Sequence, residues 1–363
     1  MRVLICRITD AGVILRSSKL IVELLKLGHK VIVATPKGDA YQSIIDMGCK
    51  YIEVDIDGHG MNPLADYAVY RQYRRILRTE QPDLALLYTT KPNVYCGMIC
   101  RKTKVPVIMN ITGMGMALGN KGITQNILIN LYKIACNGKN VKKIFFQNND
   151  SMEFFQNHNI GDHEKYEGIP GSGIDLTKFQ VQEFPSSETV DFLFVARVMK
   201  QKGIEQYIET AKRIRKAHPE AIFHVLGGCD DSYQKIMDEE TKNGTIVYHG
   251  RVNNIIDYQK MSQCTIQPSY YPEGMSNVIL EAAACGRPVI TTDHPGCREG
   301  VDDEETGYIV PIKDADALTT AVERFLSLSR EEKAEMGLRG RKKMEQEFDI
   351  RIVLEAYLKA VCS

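Results

Sequence analysis

The feature that most constrains this chain is a rhythm of short, continuously apolar stretches alternating with longer amphipathic ones, and the rhythm runs twice. MRVLICRI (1–8) reads as a strand, TDAGV (9–13) as a turn, RSSKLIVELLKLG (16–28) as a helix ended by Gly28, and HKVIVAT (29–35) as a second strand. A strand that is apolar at every position must be covered on both faces, which a parallel sheet wrapped by helices provides. The alternation continues through YIEVDI (51–56), a basic helix around 66–79, PDLALLYTT (82–90), a helix near 93–103, VPVIMNIT (105–112) and KKIFFQN (142–148). These segments predict an open Rossmann-like domain of α/β class.

The texture then changes. GIPGSGIDLTKFQVQEFPSSE (168–188) is rich in Gly, Pro and Ser, as a linker is. The rhythm restarts with VDFLFVAR (190–197), a helix over 203–217, AIFHVLGG (221–228), TIVYHGR (245–251), CTIQPS (264–269) and RPVITTD (287–293), followed by helices to about residue 361. The expected organisation is a Rossmann-like domain over 1–175 and a second over 176–349, with a C-terminal helix, 350–363, returning to the first. Two such domains face each other across a cleft, and open α/β sheets bind ligands at the carboxyl ends of their strands.

Composition narrows the function classes. At 44% hydrophobic and 25% charged residues the chain is an ordinary globular protein. No apolar run approaches the ~20 residues that span a bilayer, and MRVLICRITDAG is too short in apolar residues for a signal peptide, so a cytoplasmic protein is expected. Ten cysteines form no CxxC pair; Cys96 and Cys100 share a helical face, where buried reduced thiols are the expectation. Net charge is zero, which argues against a nucleic-acid partner, yet it is unevenly spread. Residues 1–180 hold 23 Lys and Arg against 16 Asp and Glu, a net of +7, and residues 181–363 hold 23 against 30, a net of −7.

The unusual residues gather after strands. In FVARVMKQKGI (194–204), Arg197 ends a strand and Lys202 precedes Gly203 at a helix start, two cations suited to a dianion such as a diphosphate. Gly12, in the first βα turn, would let a phosphate approach the backbone. NITGMGMALGN (110–120) imitates a dinucleotide fingerprint but has GxGxxxG spacing and no early following strand, so a flexible loop that touches a sugar or acceptor is expected there, and a nicotinamide oxidoreductase is disfavoured. The eight histidines form no HxxH or HxH group, and Asp55 and Asp57 form a DxD pattern without a further ligand, so no metal is expected. In PEGMSNVILEAAACGRPVIT (272–291), Glu273 precedes an Ala-rich helix that carries Glu281, and Ser276 is the expected N-cap.

With those residues placed, the chain resembles the retaining glycosyltransferases of family GT4, which have the GT-B fold. EGMSNVILEAAACGRPVITTDHPGCREGV with GYIVP (307–311) matches the family's E-x7-E motif and its surroundings, FVARVMKQKGI its diphosphate element and GSGIDLTKF (171–179) its interdomain segment. TTKPNVYCG (89–97) and NITGMG (110–115) are similar to phrases of capsule, O-antigen and protein-glycan enzymes that build on undecaprenyl-diphosphate-linked sugars, among them N-acetylgalactosaminyltransferases acting on lipid-linked bacillosamine. The resemblance implies a UDP-sugar donor and no metal or other cofactor. It implies that Arg197 and Lys202 neutralise the diphosphate, that Glu281 holds the ribose and that Glu273 faces the donor sugar. Backbone amides from Gly274, Met275, Asn277 and Val278 reach sugar and phosphate, Val252 lies by the base, and Gly12 approaches the phosphates. Many family members carry a histidine where this chain has Thr89, Thr90 and Lys91; Lys91 either replaces it as a donor or addresses the acceptor, with Thr112 and Gly113 on the same acceptor side.

A polyprenyl acceptor places the enzyme at the inner face of the cytoplasmic membrane, as a peripheral protein. DYAVYRQYRRILR (66–78) puts Arg71, Arg74, Arg75 and Arg78 on one helical face, interleaved with Tyr67, Tyr70 and Tyr73, and NLYKIACNGKNVKK (130–143) is also basic. Docking on anionic lipid is worth roughly 1 kcal/mol per cation near the surface. The competing readings are a UDP-N-acetylglucosamine 2-epimerase-like GT-B enzyme, a glycosyltransferase with a non-lipid acceptor, and a non-catalytic nucleotide-sugar binder.

Overall fold

The computed structural model describes residues 1–56, 62–119, 122–229 and 231–362. The chain divides into two compact units, Met1–Ser172 with Arg351–Ser363, and Gly173–Ile350.

The first unit is built on seven strands: β1 (Arg2–Cys6), β2 (Lys30–Thr35), β3 (Lys50–Glu53), β4 (Leu84–Tyr88), β5 (Val107–Ile111), β6 (Val141–Phe146) and β7 (Tyr166–Gly168). All are parallel, in the order β3-β2-β1-β4-β5-β6-β7. The helices are α1 (Asp10–Lys26), α2 (Tyr41–Asp46), α3 (Pro63–Glu80), α4 (Gly97–Thr103), α5 (Gly115–Gly119), α6 (Ile123–Cys136) and α7 (Asn149–Asn157). Leu4, Cys6, Ala85 and Leu87 face one core with α3, α4 and α6, whereas Val3, Ile5, Leu84 and Leu86 face another with α1. Both faces of the sheet are therefore covered, which is why its strands can be apolar throughout.

Three local readings are corrected. TDAGV is not a turn, because Thr9 sits extended at φ −150° and caps α1, its hydroxyl accepting from the Gly12 amide at 3.1 Å. Gly12 thus lies inside the first helical turn, and a Cβ there would stand 2.7 Å from that hydroxyl. Residues 110–120 are not simply a loop, since α5 occupies part of them. Tyr73 belongs to the core rather than to the surface row of aromatics, being fully buried on the inner face of α3.

The second unit repeats the plan with six parallel strands: β8 (Val190–Val195), β9 (Ala221–Leu226), β10 (Val247–Gly250), β11 (Cys264–Gln267), β12 (Val289–Thr292) and β13 (Gly307–Val310), in the order β10-β9-β8-β11-β12-β13. Its helices are α8 (Ile204–Ala217), α9 (Asp231–Lys242), α10 (Ile255–Met261), α11 (Asn277–Ala284), α12 (Ala315–Ser327) and α13 (Arg330–Glu347). Phe192, Phe194, Tyr207, Phe223 and Phe325 interlock at one face. Each such ring contributes about 1.5–3 kcal/mol by burial. The last helix, α14 (Ile350–Cys362), packs Val353, Tyr357, Ala360 and Val361 into the core of the first unit. Tyr357 also donates a hydrogen bond to Asn110 Oδ1.

The segment after residue 173 is held to the second unit by arginines. Arg287, 1% exposed, donates to the carbonyls of Gln182 at 3.0 Å, Glu183 at 2.7 Å and Gln259 at 2.7 Å. Arg330 donates to the carbonyls of Phe184 and Pro185, and Arg341 to that of Phe179. Burial lowers the Arg287 guanidinium to about 10, so it remains charged at neutral pH, and backbone carbonyls satisfy it. Arg287→Met leaves those buried acceptors unmatched; we expect a loss of about 3 kcal/mol in urea unfolding and earlier proteolysis near residues 179–185. A loss below about 1 kcal/mol would contradict this account.

Candidate functional site

In each sheet the chain reverses its winding once, after β3 and after β10, so a crevice opens at the carboxyl ends of β1 and β4 in one unit and of β8 and β11 in the other. The residues singled out by sequence lie largely at these two edges.

In the second unit, β8 runs into Ala196 and Arg197, then a 3-10 turn, Lys200–Lys202, and Gly203 at φ 80° before α8. Gly203 must be glycine, because a Cβ would meet the Pro268 carbonyl at 2.1 Å. That contact joins the loop to the one leaving β11, as does a hydrogen bond from the Tyr270 amide to the Gln201 carbonyl at 2.9 Å. The β11 loop carries Glu273, whose carboxylate forms an ion pair with the Lys202 ammonium. The two side chains are only 10% and 20% exposed, and Tyr271 lies under the ammonium at 5.0 Å. Arg197 is exposed and has no ion-pair partner among the described residues. Burial lowers the Lys202 ammonium to about 8, and the Arg197 charge adds to that shift. The same burial pushes the Cys297 thiol up to about 11, so it is neutral at pH 7.

The start of α11 is braced from behind. The Ser276 amide donates to the Gly296 carbonyl at 2.7 Å, and a Cβ on Gly296 would stand 3.0 Å from the carbonyls of Glu273 and Gly274. Ser276 has N-cap backbone angles, φ −80° and ψ 104°, yet its hydroxyl makes no capping hydrogen bond. The expected side-chain cap is therefore absent, and the first-turn amides take no acceptor from it. The Met275 side chain is buried with Ile174, Phe179 and Leu280, so only its backbone can face a ligand. Asn277, Val278 and Glu281 are half-buried along the same helix. Val252 stands apart, on the loop after β10, two strands from β8.

In the first unit the pairing of Tyr88 with Asn110 aligns the ends of β4 and β5. Thr89, at φ 67°, and Thr90 and Lys91 follow one strand, while Thr112 and Gly113, at φ 112°, follow the other. Lys91 leads into a π turn, Pro92–Cys96, a helix variant frequent at functional sites. Its ammonium lies 2.9 Å from Asp66 of α3. Gly12 and Lys91 thus flank the crevice between β1 and β4, while the Gly12 amide is already held by Thr9.

The outer face of α3 is basic. Arg71, Arg74, Arg75 and Arg78 are all exposed and line an open groove, while Val69, Tyr73, Ile76 and Leu77 face inward. Leu64 and Tyr67 at the start of α3, and Ile123 at the start of α6, are 83%, 63% and 81% exposed. The reading of 130–143 as a basic stretch spans the end of α6 and the start of β6. Asp57 of the DxD pattern lies outside the described residues; Asp55 pairs through its backbone with Gln72. Among the described residues no group of three or more His, Cys, Asp or Glu side chains gathers as metal ligands do, Cys96 and Cys100 are free buried thiols, and no helix is long and apolar enough to cross a membrane. Sequence reasoning missed Asp66, Tyr271 and Cys297, each of which matters only through a contact distant in sequence. It missed Asp10 as well, whose buried carboxylate accepts from the amides of Ala11, Gly38 and Ala40 and so joins the loops after β1 and β2.

Comparisons with known proteins converge. The family described as Glycosyl transferase 4-like matches residues 4–148, and the family described as Glycosyl transferases group 1 matches residues 177–343. The chain is 24% identical over 348 residues to the N,N'-diacetylbacillosaminyl-diphospho-undecaprenol alpha-1,3-N-acetylgalactosaminyltransferase of Campylobacter jejuni, covering 91% of this chain and 90% of that one. It is 28% identical to the capsular polysaccharide biosynthesis glycosyltransferase CapM of Staphylococcus aureus, over 51% of each chain. Among solved structures, Anabaena HepE in complex with UDP and glucose superposes with a TM-score of 0.81 at 14% identity, covering 100% of this chain and 99% of that one.

The edge at β8 and β11 offers two cations to an oxyanion, one of which titrates within reach. As pH rises through about 8, Lys202 loses its proton and affinity for inorganic diphosphate should fall. Between that value and the ordinary one near 10.5 the unfolded chain binds the proton that the folded chain has released, so folding stability rises as affinity falls. Calorimetric titration from pH 7 to 9 should show a drop of about fivefold or more, absent in Lys202→Met. A flat profile for the natural protein would sink this assignment.

Proposed function

We propose that this chain, which belongs to the group 1 glycosyltransferases and has their GT-B fold, moves a sugar from a UDP-sugar to a saccharide carried on a polyprenyl diphosphate, with retention at the anomeric carbon, in the assembly of a surface glycan. The observation that carries this reading is the Lys202–Glu273 pair beside Arg197 at the edge of β8 and β11. Support also comes from the Campylobacter relative, whose name specifies a lipid-diphosphate acceptor, and from the UDP and glucose held by HepE.

The residues suggest the division of labour. In the second unit, Arg197 and Lys202 receive the donor diphosphate, in the place a divalent ion takes in other glycosyltransferases. Glu273 accepts from sugar hydroxyls while holding Lys202, and Glu281 accepts from the ribose. The amides at the start of α11 add partial positive charge where the leaving group gains its negative charge, an electrostatic contribution that is often the largest in catalysis. The acceptor hydroxyl attacks the anomeric carbon on the face the diphosphate leaves, the carbon–oxygen bond to phosphate breaks, and a departing phosphate oxygen takes the acceptor's proton. The first unit takes the acceptor. The cations of α3, with the exposed Leu64 and Tyr67 on the same helix, suit a peripheral position on the cytoplasmic side of an anionic membrane.

A single assay tests the parts. The purified chain is offered a panel of UDP-sugars and N,N'-diacetylbacillosaminyl-diphospho-undecaprenol, either in detergent or in anionic vesicles, and UDP release is followed. Acceptor-dependent release from one donor is expected, falling at least about a hundredfold in Glu273→Gln. The Arg74→Ala, Arg75→Ala double variant should slow transfer in vesicles and leave the detergent rate unchanged. Release that ignores the acceptor would point to hydrolysis or epimerase-like chemistry, and none from any donor to a binding protein.

A further inference from the structure

Lys91 ends the loop after β4 and leads into the π turn, and Asp66 lies in the first turn of α3, which packs on that turn. Their side chains are 12% and 8% exposed, with Nζ and Oδ1 2.9 Å apart. Tyr95, one turn beyond Lys91, hydrogen-bonds the same carboxylate; burial first, and the Asp66 charge second, raise its phenol well above the usual range. Asp66 Oδ1 is buried and, although paired with the ammonium, accepts no aligned hydrogen bond among the described residues.

A paired ammonium and carboxylate present no excess charge, but the ammonium keeps N–H donors beyond the one facing Asp66. Asp66 Oδ1 is matched by that ammonium and closed to solvent, so the carboxylate holds Lys91 in place rather than meeting a ligand. A phosphate oxygen would gain little from a cation already neutralised, and it would meet the Asp66 carboxylate as a like charge. A sugar hydroxyl accepts from the ammonium and brings no charge.

We propose that Asp66 and Lys91 form a binding subsite for a hydroxyl of an uncharged sugar at the carboxyl edge of the first sheet, with Asp66 setting the position of Lys91. The occupant is the sugar of the acceptor. The subsite lies in the same unit as Thr112 and Gly113, on the adjoining strand end, whereas the cations suited to the donor diphosphate belong to the other unit. This rests on the proposed function for its choice of substrate, though the subsite itself is defined by the pair alone.

The test uses the full chain and two independent probes. Saturation-transfer NMR with free N-acetylhexosamines should give a signal with the natural protein, lost in Asp66→Asn and in Lys91→Gln and partly kept in Asp66→Glu. UDP should give an unchanged signal with all four proteins, and unchanged near-ultraviolet circular dichroism and thermal unfolding show that the first unit of the variants folds. In the transfer assay, Asp66→Asn and Lys91→Gln should raise the acceptor KM at least about tenfold and leave the UDP-sugar KM within twofold. A rise in the UDP-sugar KM instead would overturn the assignment to the acceptor and give the hydroxyl to the donor. A sugar signal absent from the natural protein, or equal in both variants, overturns the subsite. A UDP signal absent from the natural protein overturns the proposed function and leaves the sugar result standing by itself.

Discussion

A sheet made only of parallel strands needs a crossing connection after every strand, and all those connections begin at one edge. Where the winding reverses, two neighbouring connections leave for opposite faces and the edge opens between them. Both units obey this constraint, at β1 and β4 and again at β8 and β11. The candidate site of the second unit follows from it. Lys202 and Glu273 are distant in sequence and meet because their loops leave adjacent strands at a reversal. In the first unit, the loops that carry Lys91 and Thr112 with Gly113 leave neighbouring strand ends because β4 and β5 end in register.

The two edges solve the burial of charge differently. At β8 and β11 a cation is held by one carboxylate while a second cation, Arg197, stays exposed, so the site has positive charge to offer an anion. At β4 the Asp66–Lys91 pair is balanced and offers hydrogen bonds rather than charge. Buried pairs contribute little to stability, because desolvation offsets their attraction, and their persistence is better explained by what they hold in place. Stability resides elsewhere, in the aromatic cluster of the second unit and in arginines such as Arg287 that tie the segment after residue 173 to it.

Much of the fold was legible in the sequence, since continuous apolar strands leave no other sheet type and Gly/Pro-rich residues mark the break between rhythms. What failed was local. Thr9 and Asp10 have the composition of a turn, yet Thr9 is a helix cap and Asp10 accepts from three amides, two of them beyond β2. The three-residue strand β7 is too short to show a pattern. Met275 and Tyr73 look like surface or site residues by neighbourhood, and only packing reveals them as core. Arg197, Lys202, Glu273 and Glu281 could be picked out by type and spacing, whereas the Lys202–Glu273 contact could not. Asp66 carried no local signal at all, because its meaning depends on a partner brought in by the next strand.

The proposed function requires the nucleotide end of a UDP-sugar to be held in the second unit, at the edge of β8 and β11. Hydrogen–deuterium exchange with and without UDP tests it most directly, because backbone amides report without any catalytic assumption. Protection should appear over residues 196–204 and 268–284. Protection confined to residues 1–172, or none at saturating UDP, would contradict the account.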